Sequence, residues 1–127
     1  MYHYTKESRF SMEETIARVK EQLQKQKFGV LWEFSIQETL QKKGFDFKEP
    51  YTVLEVCNPG EASQILAESK LAGYFLPCKI VVYEDGGKVH VGMVKLTLLF
   101  EHLENETLAN IARDIEKQLR DVIDQSV

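Results

Sequence analysis

Residues 79–95 read KIVVYEDGGKVHVGMVK, and this stretch decides the fold class. Strand-like runs at residues 79–84 and 88–95 flank the tripeptide Asp85-Gly86-Gly87. Glycines at a tight turn permit the positive φ angles that short hairpins need. The stretch therefore predicts two antiparallel strands joined by a hairpin, the beginning of an antiparallel sheet.

Three further strand-like segments precede the hairpin, near residues 2–9, 30–36 and 51–57. In the second segment, apolar residues recur with a period of two: Val30, Trp32, Phe34 and Ile36. We expect these four side chains on one face of a half-buried strand. The third segment alternates in the same way and ends at Cys57.

The first long helix is marked by a capping box. Ser11 precedes Glu14 by three residues, so the serine side chain is expected to accept a hydrogen bond at the helix start. One apolar stripe follows at helical spacing: Met12, Ile16, Val19 and Leu23. Gly29 is the expected stop.

Two short helices and a long C-terminal helix are predicted in the rest of the chain. Residues 37–43 contain helix formers and end at Gly44. The segment Asn58-Pro59-Gly60-Glu61 is a compact helix start, in which Asn58 caps and Pro59 takes the first helical position. Its predicted buried face consists of Ala62, Ile65 and Leu66. The C-terminal helix has a longer apolar stripe: Leu108, Ile111, Ile115, Leu119, Val122 and Ile123.

The order of these elements predicts an α+β fold. The 127 residues suit one domain, 1–127, and no linker or repeat divides them. We expect an antiparallel sheet with both long helices packed on its apolar face.

Charge and hydropathy exclude several classes of protein. The net charge is −4, and residues 97–127 hold three basic and seven acidic residues, so the remainder of the chain is neutral. Without a basic face, we expect neither nucleic acid nor an anionic membrane as a partner. No apolar run approaches a membrane span, and the N-terminus does not resemble an export signal, so we expect a cytoplasmic protein with free thiols.

Two further segments carry a resemblance to a known family. Residues 54–59, LEVCNP, followed by residues 76–84, LPCKIVVYE, resemble the domain-of-unknown-function 302 family, and the element order matches over nearly the whole chain. The resemblance implies an antiparallel sheet with two long helices, in a topology similar to the TATA-binding-protein-like group. It also implies a homodimer. It brings no established activity, and similarity of fold to a DNA-binding protein does not transfer DNA binding.

Cys57 and Cys78 are the main candidates for a functional site. If the strand ending at Cys57 lies beside the strand beginning at Cys78, the two thiols come within reach of each other. Asn58 starts a helix next to Cys57, and amides at a helix N-terminus stabilise a thiolate. The pair is therefore a candidate ligand or soft-metal site. The competing interpretation is two buried, inert cysteines.

Glu55 and the histidines are weaker candidates. Glu55 lies two residues from Cys57 on the same strand, where burial would raise its pKa and suit it to acid or base chemistry. The competing interpretation places Glu55 at a solvent-exposed strand face. His90 is a scattered metal candidate, together with Cys57 and Cys78, and we expect it to face solvent or a partner subunit.

Three functions remain open at this point. The first is a ligand- or soft-metal-binding module with its site around Cys57 and Cys78. The second is a thiol-dependent enzyme or redox sensor that uses Cys57. The third is a protein-interaction module without a small-molecule site. The main aromatic residues are expected to pack in the core, with an aromatic ligand pocket as the alternative: Trp32, Phe34, Tyr74, Phe75 and Tyr83.

Overall fold

The computed structural model describes all residues 1–127 and contains one five-stranded sheet. Neighbouring strands are antiparallel throughout, in the order β1-β5-β4-β3-β2. The strands are β1 (His3–Ser8), β2 (Gly29–Ser35), β3 (Tyr51–Cys57), β4 (Cys78–Asp85) and β5 (Lys88–Val94). The predicted α+β class and antiparallel sheet are confirmed.

Five α-helices connect or follow the strands. They are α1 (Met12–Lys25), α2 (Ile36–Lys42), α3 (Pro59–Glu68), α4 (Leu96–Phe100) and α5 (Glu106–Ser126). The predicted cap is present at α1, because the Ser11 hydroxyl accepts a hydrogen bond from the Glu14 amide at 3.1 Å. None of the helices combines the length and the apolar character that a membrane span requires.

The core lies between one face of the sheet and the helices. Alternate residues of the central strands are fully buried there, among them Leu54, Val56, Ile80 and Val82. The α1 stripe at Val19 and Leu23 and the α5 stripe at Leu108, Leu119 and Ile123 pack against them. Both long helices therefore cover the same face, as predicted. We call the opposite face the open face, because neither long helix packs on it. The short helix α2 contacts β3.

The β4–β5 hairpin has the geometry that its sequence predicts. Asp85 and Lys88 are paired across the turn, and Gly86 and Gly87 have φ angles of +61° and +80°. Positive φ at both central residues is the pattern of a type I′ turn, whose twist matches that of the flanking strands.

The predicted facing of β2 is wrong. A β-bulge between Val30 and Trp32 shifts the register, so that Val30 pairs with the core residue Val56 while Phe34 pairs with Val53. The extra residue moves the following side chains to the other face, because side chains alternate with a period of two. Trp32 and Phe34 therefore lie on the open face, and Ile36 begins α2.

Two helix details also differ from prediction. Helix α1 ends at Lys25, before Gly29, and Lys27 takes the left-handed conformation with φ of +64°. In α3, Ile65 is fully buried but Leu66 is 41% exposed, so Leu66 does not belong to the buried face. The resemblance to the TATA-binding-protein-like topology stays a prediction.

Candidate functional site

The two cysteines lie at adjoining strand ends. β3 and β4 are neighbours, and the Cα atom of Cys78 pairs with that of Val56, the residue before Cys57. Both thiols are free and half-buried, and they line one small cavity together. The condition under which the sequence places the two thiols within reach of each other, adjacency of these strands, is therefore met.

Asn58, the residue after Cys57, is the N-terminal cap of α3. Its side-chain oxygen accepts a hydrogen bond from the Glu61 amide at 3.2 Å, at the start of α3. This bond occupies a helix N-terminal amide that would otherwise be available to a thiolate at Cys57. Asn58 therefore positions the helix, and the stabilisation proposed for a Cys57 thiolate loses one of its donors.

The cavity beside Cys57 is too small for an organic ligand. Its volume is about 10 Å³, which is at the lower limit for a single water molecule. Its wall includes Cys57, Cys78, Asn58 and Glu61, together with core side chains such as Phe28. The Oε2 atom of Glu61 is buried there and finds no hydrogen-bonding partner among the groups of the protein.

Burial makes both thiols weaker acids. It raises the pKa of Cys57, and it raises the pKa of Cys78 to about 12, with smaller contributions from the negative charges of Cys57 and Glu61. Burial and the Asp114 carboxylate likewise raise the pKa of Glu61. Because the thiolate is the nucleophile, these environments suppress thiol reactivity near neutral pH. They do not favour the enzyme or redox sensor based on Cys57.

A larger cavity opens on the other side of Cys78, and we call it the Cys78 cavity. Its volume is about 180 Å³, comparable to the roughly 150 Å³ of an engineered apolar cavity that binds benzene. Its wall is mostly apolar: Phe75, Met93, Val94, Leu96, Leu99 and Leu119. The polar groups in the wall are Cys78, Lys79 and Glu116. An apolar cavity with a few convergent polar groups is the usual form of a small-molecule site.

Glu116 is the fixed polar group of this cavity. It lies on α5 and is only 8% exposed. Its Oε1 atom accepts hydrogen bonds from the Thr97 amide at 3.1 Å and from the Thr97 hydroxyl at 2.8 Å. Its Oε2 atom is 4.0 Å from the Arg120 guanidinium. The side chain is thus held in place while the second oxygen keeps acceptor capacity.

Glu55 lies near the cysteines along the strands but does not line their cavities, and His90 lies farther away. Glu55 is half-buried on the open face, where it pairs with Lys79 and Trp32. His90 stacks on Tyr83 at a ring distance of 5.2 Å. Tyr83 is five residues from Cys78 along β4, or about 17 Å at the rise of a strand. The structure contains no group of three His, Cys, Asp or Glu side chains suited to a metal ion, so the proposed set of Cys57, Cys78 and His90 is not assembled.

Most of the main aromatic group is outside the core, contrary to expectation. Trp32 is 59% exposed and Tyr74 is 83% exposed, while Phe34 and Tyr83 lie on the open face. Only Phe75 joins the core, where it packs near Phe100.

Sequence reasoning missed Glu116, because an acidic residue of a helix is expected on its solvent side. One signal was present in the sequence. Glu116 falls at helical spacing among buried residues of α5, between Ala112, Leu119 and Ile123. A charged residue inside an apolar stripe is rarely buried without a partner, and here the partner is Thr97.

Comparison with known proteins places the chain in a family. The model of the family "Domain of unknown function DUF302" matches residues 4–126. The crystal structure of an uncharacterized conserved protein DUF302 from Bacillus stearothermophilus is 49% identical in sequence, with a TM-score of 0.96. The match covers 100% of this chain and 99% of that chain. No curated protein matches.

Proposed function

Since the chain belongs to the domain-of-unknown-function 302 family, whose function is uncharacterised, we propose a function from its own cavity. The protein binds a small, mostly apolar organic molecule that carries one hydrogen-bond donor, and it binds this molecule in the Cys78 cavity. The observation that carries the proposal is the buried carboxylate of Glu116 in an otherwise apolar wall.

The size of the cavity limits the ligand. A volume of about 180 Å³ suits a molecule slightly larger than benzene, of roughly six to ten non-hydrogen atoms. Such a ligand is stabilised by the apolar surface that it removes from water, at roughly 25 cal/mol per Å².

The polar groups select the chemistry of the ligand's head group. Glu116 accepts hydrogen bonds and excludes anions, so an amine or a hydroxyl group fits and a carboxylate does not. Lys79 has the opposite charge, but it is exposed and therefore screened by solvent. The buried charge of Glu116 has the larger influence because it is less screened. The ligand class is thus a small aromatic or branched aliphatic amine or alcohol.

Probes of equal size test this proposal. Benzylamine, benzyl alcohol and benzoate share a ring and differ in the head group. With the three methionine methyl groups labelled for NMR, we expect benzylamine and benzyl alcohol to shift the Met93 signal saturably, and benzoate to leave it unchanged. Met1 and Met12 serve as internal references outside the cavity.

A pair of leucine variants supplies the control. Leu99 lines the cavity and Leu98, its exposed neighbour on α4, does not. We expect Leu99→Trp to abolish the Met93 response and Leu98→Trp to preserve it. Glu116→Gln should remove the preference for benzylamine over benzyl alcohol. The proposal is wrong if no probe shifts Met93, or if the Leu99 variant binds as well as the wild type.

We also propose that the protein works in the cytoplasm. Both cysteines are free thiols, as is usual in a reducing compartment. Fractionation of the source cells checks this location, and recovery outside the cytoplasmic fraction contradicts it.

A further inference from the structure

The Cys78 cavity has its mouth between two strand ends. Two residues of its wall are exposed, Lys79 and Val94, and the rest of the wall is buried or half-buried. Lys79 lies near the start of β4, and Val94 is the last residue of β5. A ligand therefore enters the cavity between Lys79 and Val94.

The sheet has a gap at this mouth. The pairing of β4 with β5 starts at the hairpin turn and ends at Val81 and Gly92. The same register continued by two residues would pair Lys79 with Val94, but these two residues are not paired. On its other side, Val94 pairs with His3 of β1. Because no strand pairing closes the sheet here, the space between Lys79 and Val94 connects its two faces.

A groove of about 270 Å³ on the open face adjoins this gap. It shares Lys79, Met93 and Val94 with the wall of the Cys78 cavity. The groove has room at its centre because Gly92 has no side chain, and a Cβ atom there would lie 2.7 Å from the Thr5 hydroxyl oxygen. The cavity and the groove are thus two parts of one space that crosses the sheet.

The polar groups of the groove favour an anion. The Lys79 ammonium group forms no ion pair, and its neighbour on β3, Glu55, does not line the groove. The Nδ1 atom of His3 is hydrogen-bonded to the Thr5 hydroxyl at 2.8 Å, which leaves Nε2 for a ligand. No acidic residue lines the groove. Its charge is therefore opposite to that of Glu116 inside the cavity.

Opposite charges at the two ends of one space define a ligand class. On the basis of the binding function proposed above, we infer that the ligand is an amine with a carboxylate at its opposite end. The amine binds Glu116, the apolar body fills the Cys78 cavity, and a tail passes between Lys79 and Val94. The carboxylate of the tail binds Lys79 and His3 in the groove.

Both ends of this ligand are needed. A carboxylate without an amine gains only a solvent-screened contact at Lys79, and its apolar body removes water from Glu116 without replacing the lost hydrogen bonds. Benzoate is therefore excluded although the groove attracts anions. The tail lies outside the cavity, so its atoms are additional to those that the cavity holds.

Benzylamines with a para side chain test this inference. One series carries a carboxylate on zero to three methylene groups, and the control series carries an uncharged alkyl chain of equal length. At the best length, we expect the carboxylate to lower the dissociation constant about threefold or more, as a partly exposed ion pair does. The gain should shrink as sodium chloride is added.

Two lysine variants identify the partner of the carboxylate. Lys79→Met keeps the apolar stem and removes the charge, so we expect the ratio of the two dissociation constants to fall to about one. Lys88→Met changes an exposed lysine of the hairpin that does not line the groove, and the ratio should stay as in the wild type.

NMR of labelled methionine and histidine side chains locates the two ends. Benzylamine should shift Met93 and leave His3 unchanged, whereas the best carboxylate probe should shift both. The exposed His102 serves as the reference. Leu99→Trp should abolish the His3 shift as well, because the groove binds the tail only when the body occupies the cavity.

The outcomes separate this inference from the proposed function. If benzylamine binds but no carboxylate probe gains affinity, or if the gain survives Lys79→Met, the inference is overturned and the binding function stands. If neither series shifts Met93, both are wrong. A His3 shift that persists in Leu99→Trp shows that the groove binds anions independently, which also overturns the inference.

Discussion

At the scale of single residues, the two thiols line different sets of cavities, but burial raises the pKa of both. Cys57 lines only the small cavity, whereas Cys78 lines both the small cavity and the Cys78 cavity. Both are weak acids because burial disfavours the thiolate. Cys78 is thus a neutral, polarisable part of a binding surface, and neither residue has the environment of an activated nucleophile.

The pKa of Cys78 predicts how stability depends on pH. The thiol ionises near pH 9.0 in the unfolded chain and at about 12 in the folded protein. Between these values the unfolded chain releases a proton that the folded protein keeps, so a rise in pH favours unfolding. The stabilising contribution is complete below pH 9 and declines as the pH approaches 12.

Urea unfolding of the wild type and Cys78→Ala between pH 7.5 and 10.5 measures this effect. We expect the wild type to lose stability more steeply than the variant above pH 9. The new cavity in the variant lowers stability equally at every pH, so only the difference in slope is diagnostic. Cys57→Ala should reduce the pH dependence of the free energy of unfolding less than Cys78→Ala does. If the free energy of unfolding falls with pH equally in the wild type and in Cys78→Ala, the raised pKa of Cys78 is not the cause of the loss.

At the scale of elements, the strands differ in how far their geometry depends on their own residues and on pairing with a neighbouring strand. The β4–β5 hairpin depends on a turn whose two central residues both have positive φ. β2 depends on its neighbour, because the bulge after Val30 is a feature of its pairing with β3. The first feature is local, and the second requires a contact between distant parts of the chain.

Alanine substitution of two glycines, one in the turn and one in α3, tests how much the turn contributes to stability. Gly87→Ala puts a side chain on a residue with φ of +80°, so we expect a loss of about 1–2 kcal/mol in the free energy of unfolding. Gly60→Ala in α3 meets only an ordinary contact at 3.5 Å and should raise stability by about 0.4–1 kcal/mol. Equal effects of the two substitutions in urea unfolding would contradict the importance of this turn.

At the scale of the whole molecule, the two faces of the sheet differ in what covers them. The helix-covered face holds the core and borders the Cys78 cavity. The open face carries exposed aromatic side chains, among them Trp32. Leu99 and Glu116 line the cavity, so variants of these residues test the proposed binding function without changing the open face.

The sequence by itself determined the features that depend on neighbours in the chain. The cap at Ser11, the helix start at Asn58 and the Gly86-Gly87 turn each involve residues at most three positions apart, so local patterns reveal them. The antiparallel sheet and the helix-covered face followed from the periods of the apolar residues. The places of Cys57 and Cys78 at strand ends were also evident, but only the strand order of the sheet showed that the two strands are neighbours.

The tertiary structure alone decided which of these residues border a space large enough for a ligand. The Cys78 cavity joins Cys78 to Glu116, 38 positions later, and Glu116 is fixed by Thr97 from another helix. No period or short motif contains such a set, because cavities arise where packed elements fail to fill space. The bulge in β2 likewise decided that Trp32 and Phe34 leave the core for the open face, since one extra residue reverses every side chain after it.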